Sequence, residues 1–187
     1  MAAPARRRMT ADEFLDWAMT RPDGVRYELV AGEVVAMAPE RASHGRAKVA
    51  VFDALRAAVS AAGLPAEAFI DGMAVRIDEA TVYEPDVLLR CGPPVAGECV
   101  EIGDPLIVVE VLSPSSRQKD TGGKLDDYFR LPSVRHYLII ETTNRTVIHH
   151  RRDDAGELQT RILREGTLEL RPPGLTMEVA SLCPAPG

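Results

Sequence analysis

Apolar residues recur along the chain with two different periods, and this pattern predicts both helices and strands. From Thr10 onward they fall at helical spacing, and Thr10 with Glu13 forms a capping box in which each side chain satisfies a free backbone N–H. A second helix is predicted to begin at Ser43 and to end at Gly63, and a third to cover about residues 120–131. The apolar positions of the first helix are Phe14, Trp17 and Ala18, and Pro22-Asp23-Gly24 ends it.

Continuous or alternating apolar runs predict the strands. Two short runs, 27–30 and 33–37, flank Ala31-Gly32 in the pattern of a tight β-hairpin. Segment 91–104 is predicted to be a loop, and the Pro-rich tail is predicted to be irregular. The remaining predicted strands are 68–71, 73–77, 85–89, 106–112, 136–141, 146–150, 158–163 and 168–170, the last two extending the sheet. This succession of helices and strands indicates an α/β (α+β) protein with a mixed β-sheet flanked by helices.

The composition fits one globular domain over residues 1–187, with its core at about 9–170 and a frayed N-terminus. The chain has 45% hydrophobic and 27% charged residues, and no apolar run approaches the roughly 18–20 residues that a membrane span needs. Arg6, Arg7 and Arg8 are not followed by the apolar stretch of a signal peptide. The three cysteines have no CxxC spacing, so we expect a cytoplasmic protein without disulfides or a thiolate zinc site.

The formal net charge of −6 is unusual for a protein whose affinity rests on neutralising phosphates. It does not exclude nucleic acid, because a basic stripe can lie on an acidic protein and because a metal site itself needs carboxylates.

Glu110 makes the apolar run 106–112 the most informative segment of the sequence. A continuous β-branched run of this kind predicts a central strand that is buried on both faces. A buried, unpaired carboxylate is costly, so such a group is normally neutralised, paired or bound to a metal. The structural alternative is an arginine partner or an exposed strand end beside Ser113-Pro114.

Asp86 and Lys124 are the predicted companions of this carboxylate. Asp86 begins a second apolar strand, and two carboxylates on neighbouring strands can bind one Mg²⁺ ion, although a lone aspartate there is more often a turn residue. Lys124 lies about one turn into the third helix, with Tyr128 four residues later on the same face. If that helix packs across the sheet, Lys124 reaches the acids; an exposed lysine is the structural alternative.

Several ordered motifs together resemble the PD-(D/E)XK nuclease superfamily, which has the restriction-endonuclease-like fold. The resemblance is closer to its bacterial branch described as putative restriction endonuclease, and it covers about residues 9–151. The matching pieces are Arg26-Tyr27-Glu28-Leu29-Val30-Ala31-Gly32-Glu33-Val34, His44 at the start of a helix, Pro85-Asp86-Val87, Val109-Glu110-Val111-Leu112-Ser113-Pro114-Ser115-Ser116 and Asp120-x-x-x-Lys124-x-x-x-Tyr128.

One position departs from the parent pattern of the superfamily. The motif lysine would stand two residues after Glu110, where this chain has Leu112. The branch that the chain resembles places its lysine on the following helix, where Lys124 stands.

The resemblance implies a metal-assisted phosphodiesterase site. Asp86 and Glu110, with Glu28 and the Val111 carbonyl, would bind Mg²⁺ or Mn²⁺, which would polarise the scissile phosphate, and no organic cofactor is needed. Lys124 would orient the attacking water and offset developing charge. Tyr128 would position Lys124 or a phosphate, and His44 would contact phosphate or act as a base. The structural alternatives are a helix-capping role for His44 and a half-buried strand carboxylate for Glu28.

Three hypotheses for the function follow. The first is a Mg²⁺-dependent endonuclease acting on nucleic acid, with DNA as the expected substrate and a homodimer as the expected form. The second is a nucleic-acid-binding or regulatory module that keeps the fold with weak or absent catalysis, which the acidic net charge favours. The third is a purely structural protein with a carboxylate–lysine ion pair in its sheet.

Overall fold

A computed structural model describes residues 8–21, 24–112 and 121–183. The helix stop at Pro22-Asp23, the motif residues Ser113 to Ser116 and Asp120, and the basic Arg6 and Arg7 lie outside the described residues. Within the described part of the chain, no helix combines the length and apolarity needed to cross a membrane.

The elements are α1 (Ala11–Met19), β1 (Tyr27–Val30), β2 (Glu33–Ala36), α2 (Ala42–Ala62), β3 (Ala66–Ile70), β4 (Val75–Asp78), β5 (Thr81–Tyr83), β6 (Val87–Cys91), β7 (Ile107–Leu112), α3 (Thr121–Tyr128), β8 (His136–Glu141), β9 (Thr146–Arg152), β10 (Leu158–Leu163), β11 (Thr167–Leu170), β12 (Leu175–Glu178) and α4 (Val179–Leu182).

A six-stranded mixed sheet in the order β10-β9-β8-β7-β6-β3 forms the centre of the fold. β7 pairs in parallel with β8 and antiparallel with β6, and Ile107, Val108 and Val109 are fully buried. This confirms the prediction of a central strand from the apolar run. The parallel pair requires a crossover, and α3 lies in the connection between its two strands.

Two apolar layers cover the two faces of this sheet. On one face, α2 packs with the β11–β12 hairpin and α4, and Val51, Leu55 and Leu182 are buried there. The opposite face meets α3 and residues of β4 and β5, with Tyr128 and Tyr137 in the core. Period-2 alternation along β7 sends its successive side chains to these two layers, as in a sheet that is buried on both faces.

A second sheet of four strands, in the order β2-β1-β5-β4, lies under α1. The predicted capping box is present, because the Glu13 backbone N–H donates to Thr10 and the Thr10 backbone N–H donates to Glu13. The predicted hairpin is confirmed, with positive φ angles at Ala31 (+49°) and Gly32 (+82°), as a tight two-residue turn requires. β5 was not predicted, because its three buried residues show neither alternation nor a long apolar run.

The prediction of an irregular tail is wrong for residues 175–182. β11 pairs with β12 in a separate two-stranded hairpin and does not extend the main sheet, whereas β10 does. Leu175, Met177, Val179 and Leu182 are buried against the main core. The core therefore extends past residue 170, because these apolar side chains pack on a side of α2 that would otherwise face solvent.

We expect Leu182→Ala to destabilise the fold by about 2–5 kcal/mol, since it removes a fully buried leucine and leaves a cavity. Ser181→Ala, at the exposed neighbouring position, is the matched control and is expected to change stability by less than about 0.5 kcal/mol. Urea unfolding of both variants measures the difference. Equal midpoints for the two would show that the C-terminal helix is not part of the core.

Two buried histidines, His136 on β8 and His149 on β9, form a hydrogen-bonded pair away from the motif residues. The His136 Nε2–H donates to the Pro172 carbonyl oxygen at 2.7 Å, so its Nδ1 accepts from His149 Nε2 at 2.9 Å. His149 Nδ1 then carries no proton, and among the described residues it accepts no hydrogen bond. Burial lowers the pKa of His136 to about 4 and the pKa of His149 to about 3.

Both imidazoles are therefore expected to stay neutral down to about pH 5, whereas the unfolded chain protonates them below about pH 6.5. The pair carries no stability penalty above pH 6.5, and a penalty grows as the pH falls towards 4, at about 1.4 kcal/mol per pH unit for each histidine. An NMR titration of the ring protons measures this. The same titration in urea is the control and should show ordinary values; a folded-state midpoint near 6.5 would contradict the assignment.

Candidate active site

The antiparallel register of β6 and β7 brings the two predicted acids together. Val87 pairs with Val109, so Asp86 and Glu110 are the next residues outward along the two neighbouring segments, and their side chains contact different helices, α2 for Asp86 and α3 for Glu110. The backbone N–H of Val111 donates to Asp86 Oδ2 at 2.6 Å, which ties the aspartate to β7. Asp86 and Glu110 thus share one site, with Asp86 just before β6 and Glu110 near the end of β7.

Among the described residues Glu110 contacts no arginine, and its side chain is only 13% exposed. Lys124 Nζ donates to its Oε1 at 3.0 Å and the Tyr128 hydroxyl donates to the same oxygen at 2.9 Å. Burial raises the pKa of Glu110 to about 7; Lys124 opposes this rise, while the nearby charges of Asp86 and Glu28 add to it.

Lys124 is buried between two carboxylates. Besides Glu110 it binds Glu28 Oε1 at 2.8 Å, and its ammonium lies 4.9 Å from the ring centroid of Tyr83. Burial alone would lower the pKa of Lys124, but the charges of Glu110 and Glu28 outweigh it and raise that pKa. The exposed role that is usual for a helical lysine does not apply here, because α3 packs on the sheet face that carries Glu110.

Glu28 reaches the site from the second sheet. Alternation along β1 places Leu29 in the core under α1 and sends Glu28 to the opposite face, where it is buried. Its Oε1 also accepts the backbone N–H of Glu84 at 3.1 Å. The four-stranded sheet is therefore joined to α3 through the Glu28–Lys124 ion pair.

His44 lies in the first turn of α2 and contacts Asp86, with 3.3 Å between its Nε2 and Asp86 Oδ1. It does not cap the helix, whose N-cap is Arg41. Burial opposes the charged forms of both groups. Their mutual hydrogen bond nevertheless raises the pKa of His44 and, with the Val111 N–H, lowers the pKa of Asp86.

Tyr128 is fully buried and its hydroxyl contacts Glu110, where the sequence had suggested contact with Lys124 or a phosphate. Burial, followed by the charge of Glu110, raises the pKa of Tyr128, so it remains a hydrogen-bond donor at neutral pH. The six side chains that the sequence singled out are all found here: Asp86, Glu110, Lys124, Glu28, Tyr128 and His44. For Val111 the structure places the backbone N–H on Asp86.

A group of charged residues beside Asp86 was missed by the sequence analysis. Lys48 lies on the otherwise apolar face of α2, and its ammonium contacts Glu40 and Asp71; Arg26 contacts the same two acids. The one available signal was that Lys48 follows His44 by four residues among buried apolar positions. Glu40 and Asp71 lie outside helices and strands, and no periodicity could have placed them.

Negative charge exceeds positive charge across the whole site. Within the described residues, six carboxylates meet three permanent cations there. The carboxylates belong to Glu28, Glu40, Asp71, Glu84, Asp86 and Glu110, and the cations to Arg26, Lys48 and Lys124.

The mixed β-sheet flanked by helices, with acids and a lysine gathered around β6 and β7, agrees with the restriction-endonuclease-like class that the sequence motifs resemble. The chain belongs to the Uma2 family, described as "Putative restriction endonuclease", whose model matches residues 11–182. The family description indicates a nuclease in general terms.

A solved structure, "a putative nuclease belonging to DUF820" from Anabaena variabilis ATCC 29413, aligns with a TM-score of 0.71 over 93% of this chain and 97% of that one. At 16% identity this likeness shows the fold alone. An uncharacterized protein of Synechocystis sp. (strain ATCC 27184 / PCC 6803 / Kazusa) is 35% identical over 96 residues, which span 51% of this chain and 50% of that relative.

Tyr128→Phe is expected to lower stability by about 1–3 kcal/mol, because it leaves a buried oxygen of Glu110 with one donor fewer. In a Glu110→Gln background the same change should cost less, since the accepting carboxylate is gone. Urea unfolding of the wild type, both single variants and the double variant gives the four free energies of unfolding of a double-mutant cycle, from which the interaction energy follows. Fully additive effects would show that the hydroxyl and the carboxylate do not interact.

Proposed function

We propose that the protein is a divalent-metal-dependent endonuclease that hydrolyses phosphodiester bonds, with Mg²⁺ as the ion and DNA as the substrate. The observation that carries the proposal is a group of six carboxylates beside three permanent cations among the described residues, in which Glu28 and Asp86 are buried and Glu110 is nearly so. Gathering like charges in a buried place is costly, and the raised pKa of Glu110 reflects this cost. A divalent ion would offset such a surplus and could bind a phosphate oxygen at the same time.

The donor set at Asp86 and Glu110 fits a hard cation. Carboxylate and carbonyl oxygens are the ligands that Mg²⁺ prefers. Asp86 and Glu110 offer carboxylates, and the resemblance adds the carbonyl of Val111, whose N–H contacts Asp86. Glu28 lies on the far side of Lys124 and is a less direct candidate for the ion. When bound, the ion supplies Lewis-acid chemistry that offsets charge on the scissile phosphate.

Each protein group has a definite task in this reaction. Lys124 carries a permanent positive charge at the carboxylates, so it orients the attacking water and offsets charge that develops on the phosphoryl oxygens. Tyr128 fixes Glu110 by its hydroxyl, and Glu28 fixes Lys124. His44, held by Asp86 with a raised pKa, is suited to contact a phosphate oxygen as a donor.

One observation favours the second hypothesis, a nucleic-acid-binding module with little or no catalysis. Lys124 is engaged by both Glu28 and Glu110, which resembles a charge-compensated structural ion pair. The third hypothesis, a purely structural protein, also predicts an ion pair between Lys124 and a carboxylate. Neither of these two hypotheses explains why His44 and Asp86 form a further contact in the same region. A homodimer that cuts both strands, a single domain and a cytoplasmic location stay predictions.

The test is cleavage of supercoiled plasmid DNA, and of labelled single-stranded DNA and RNA, with Mg²⁺ or Mn²⁺. Asp86→Asn and Lys124→Met are each expected to reduce the cleavage rate by about 100-fold or more, because each removes a charge that acts on the reacting phosphate. Glu169→Gln and Arg161→Met, which change exposed groups on other strands, are the matched controls and should cleave normally. EDTA should abolish cleavage by the wild type.

Calorimetric titration with Mg²⁺ separates the three hypotheses. The proposed endonuclease binds the ion and loses it in Asp86→Asn, while Lys124→Met keeps the ion without cleaving. Ion or nucleic-acid binding with no cleavage by the wild type would favour the binding module. Absence of both would leave only the structural role.

A further inference from the structure

Lys48 is a buried lysine in an unusual position. Its neighbours on the same face of α2 are Ala47, Val51 and Leu55, all fully buried, and Lys48 itself is only 4% exposed. A lysine at such a position is rare unless its ammonium is paired. The stem is therefore held in the apolar layer while the ammonium is delivered to a fixed point at the N-terminal end of α2.

The ammonium of Lys48 lies where a metal ion would lie, among oxygens of three different carboxylates. Its Nζ is 2.5 Å from Glu40 Oε2, 2.8 Å from Asp71 Oδ1 and 3.8 Å from Asp86 Oδ1. The three acids come from separate parts of the chain, so the fold itself converges them on this cation.

A set of metal-ligating atoms adjoins this ammonium. Atoms of Glu40, His44 and Asp86 all lie within 4.8 Å of one another. His44 Nε2 is 3.3 Å from Asp86 Oδ1 and 4.0 Å from Glu40 Oε1, which is close to the spacing of ligands around one divalent ion. Two carboxylates and an imidazole favour Mn²⁺ or Zn²⁺ over Mg²⁺.

We propose that Lys48 is the built-in substitute for a second divalent ion: its ammonium keeps the Glu40–His44–Asp86 set free of metal, and the protein therefore binds one divalent ion, at Asp86 and Glu110. The statement about a single ion rests on the proposed function. The statement about Lys48 rests on the contacts of its own ammonium.

The physical reason is repulsion between like charges across shared ligands. An ion bound by Glu40 and Asp86 would use the same two carboxylates that Lys48 contacts, so the two cations would be separated by little more than one carboxylate group. At such distances inside a protein the screening is much weaker than in water. Lys48 is tethered by its buried stem and cannot move away, so the diffusing ion is the one excluded.

Lys124 differs from Lys48 in its contacts: it meets one oxygen, Oε1, of the single ligand Glu110 and its other partner is Glu28, whereas Lys48 contacts two of the three members of the Glu40–His44–Asp86 set. Each acid therefore has its own lysine, Lys48 beside Asp86 and Lys124 beside Glu110. In a two-metal nuclease, ions occupy both sides of the scissile phosphate. Here the positive charge beside Asp86 on the α2 side is supplied by the chain.

The test counts Mn²⁺ ions per protein by electron paramagnetic resonance and calorimetric titration. The wild type is expected to bind one ion, and Lys48→Gln, which removes the charge at similar size, is expected to bind two. Lys48→Arg keeps the charge and is the matched control, with one ion expected. Adding His44→Ala to Lys48→Gln should return the count to one, since the second ion needs the imidazole.

Circular dichroism at increasing Mn²⁺ covers the case in which Lys48→Gln does not fold by itself. If the proposal holds, Mn²⁺ restores the fold of Lys48→Gln, because the ion then replaces the missing ammonium, and it does so less well when His44→Ala is added. An unfolded variant that Mn²⁺ does not restore would overturn the proposal.

Other outcomes separate this proposal from the proposed function. Two ions on the wild type, or a count for Lys48→Gln that equals the wild-type count, would overturn the assignment of Lys48. No ion on the wild type with one on Lys48→Gln would contradict the metal-dependent function but support the exclusion of metal by Lys48. No ion on either protein would overturn both.

Discussion

The ion pair between Glu110 and Lys124 is the interaction on which the rest of the site depends. Glu110 lies in the central strand of the main sheet, where its carboxylate could not remain without a positive partner. Lys124 has few alternative positions, because α3 is packed on the same sheet face through Tyr128 and Phe129. The pair therefore fixes the distance between helix and sheet, and the remaining groups are arranged around it.

Around this pair the two sheets meet. Glu28 comes from the smaller sheet, Glu110 from the larger one, and Asp86 from the connection that leads from one to the other. The helices contribute the positive charges, Lys124 from α3 and Lys48 from α2. The site is thus a junction of the two sheets with α2 and α3.

Much of the fold could be predicted from the sequence because the signals are local. The capping box at Thr10, the hairpin turn at Gly32 and the end of α2 at Gly63 each depend on residues only a few positions apart. Asp86 and Glu110 could be found because a charged residue in or beside an apolar run is conspicuous, whereas Lys124 was identified from its place in the motif of the resembled family. That Asp86 and Glu110 lie close together could then be inferred from the expected pairing of their two strands.

What could not be predicted depends on distant partners. Nothing in the alternation of β11 tells whether it joins the main sheet or pairs with β12, because both solutions bury the same side chains. Lys48 was overlooked because a lysine on a helix is ordinarily exposed, and only the acids at Glu40 and Asp71 explain its burial. Those acids stand in loops, where sequence patterns carry no geometric information.

The pairing of Glu28 with Lys124 joins residues 96 positions apart in the chain. Closing so long a segment costs conformational entropy before any contact repays it, so such contacts form slowly and late during folding. A nascent chain, or a fragment cut between the two sheets, has every local element but lacks the junction at which the charges meet. Hydrolytic competence would thus arise only in the completed fold, and an incomplete chain would be harmless to the nucleic acid around it.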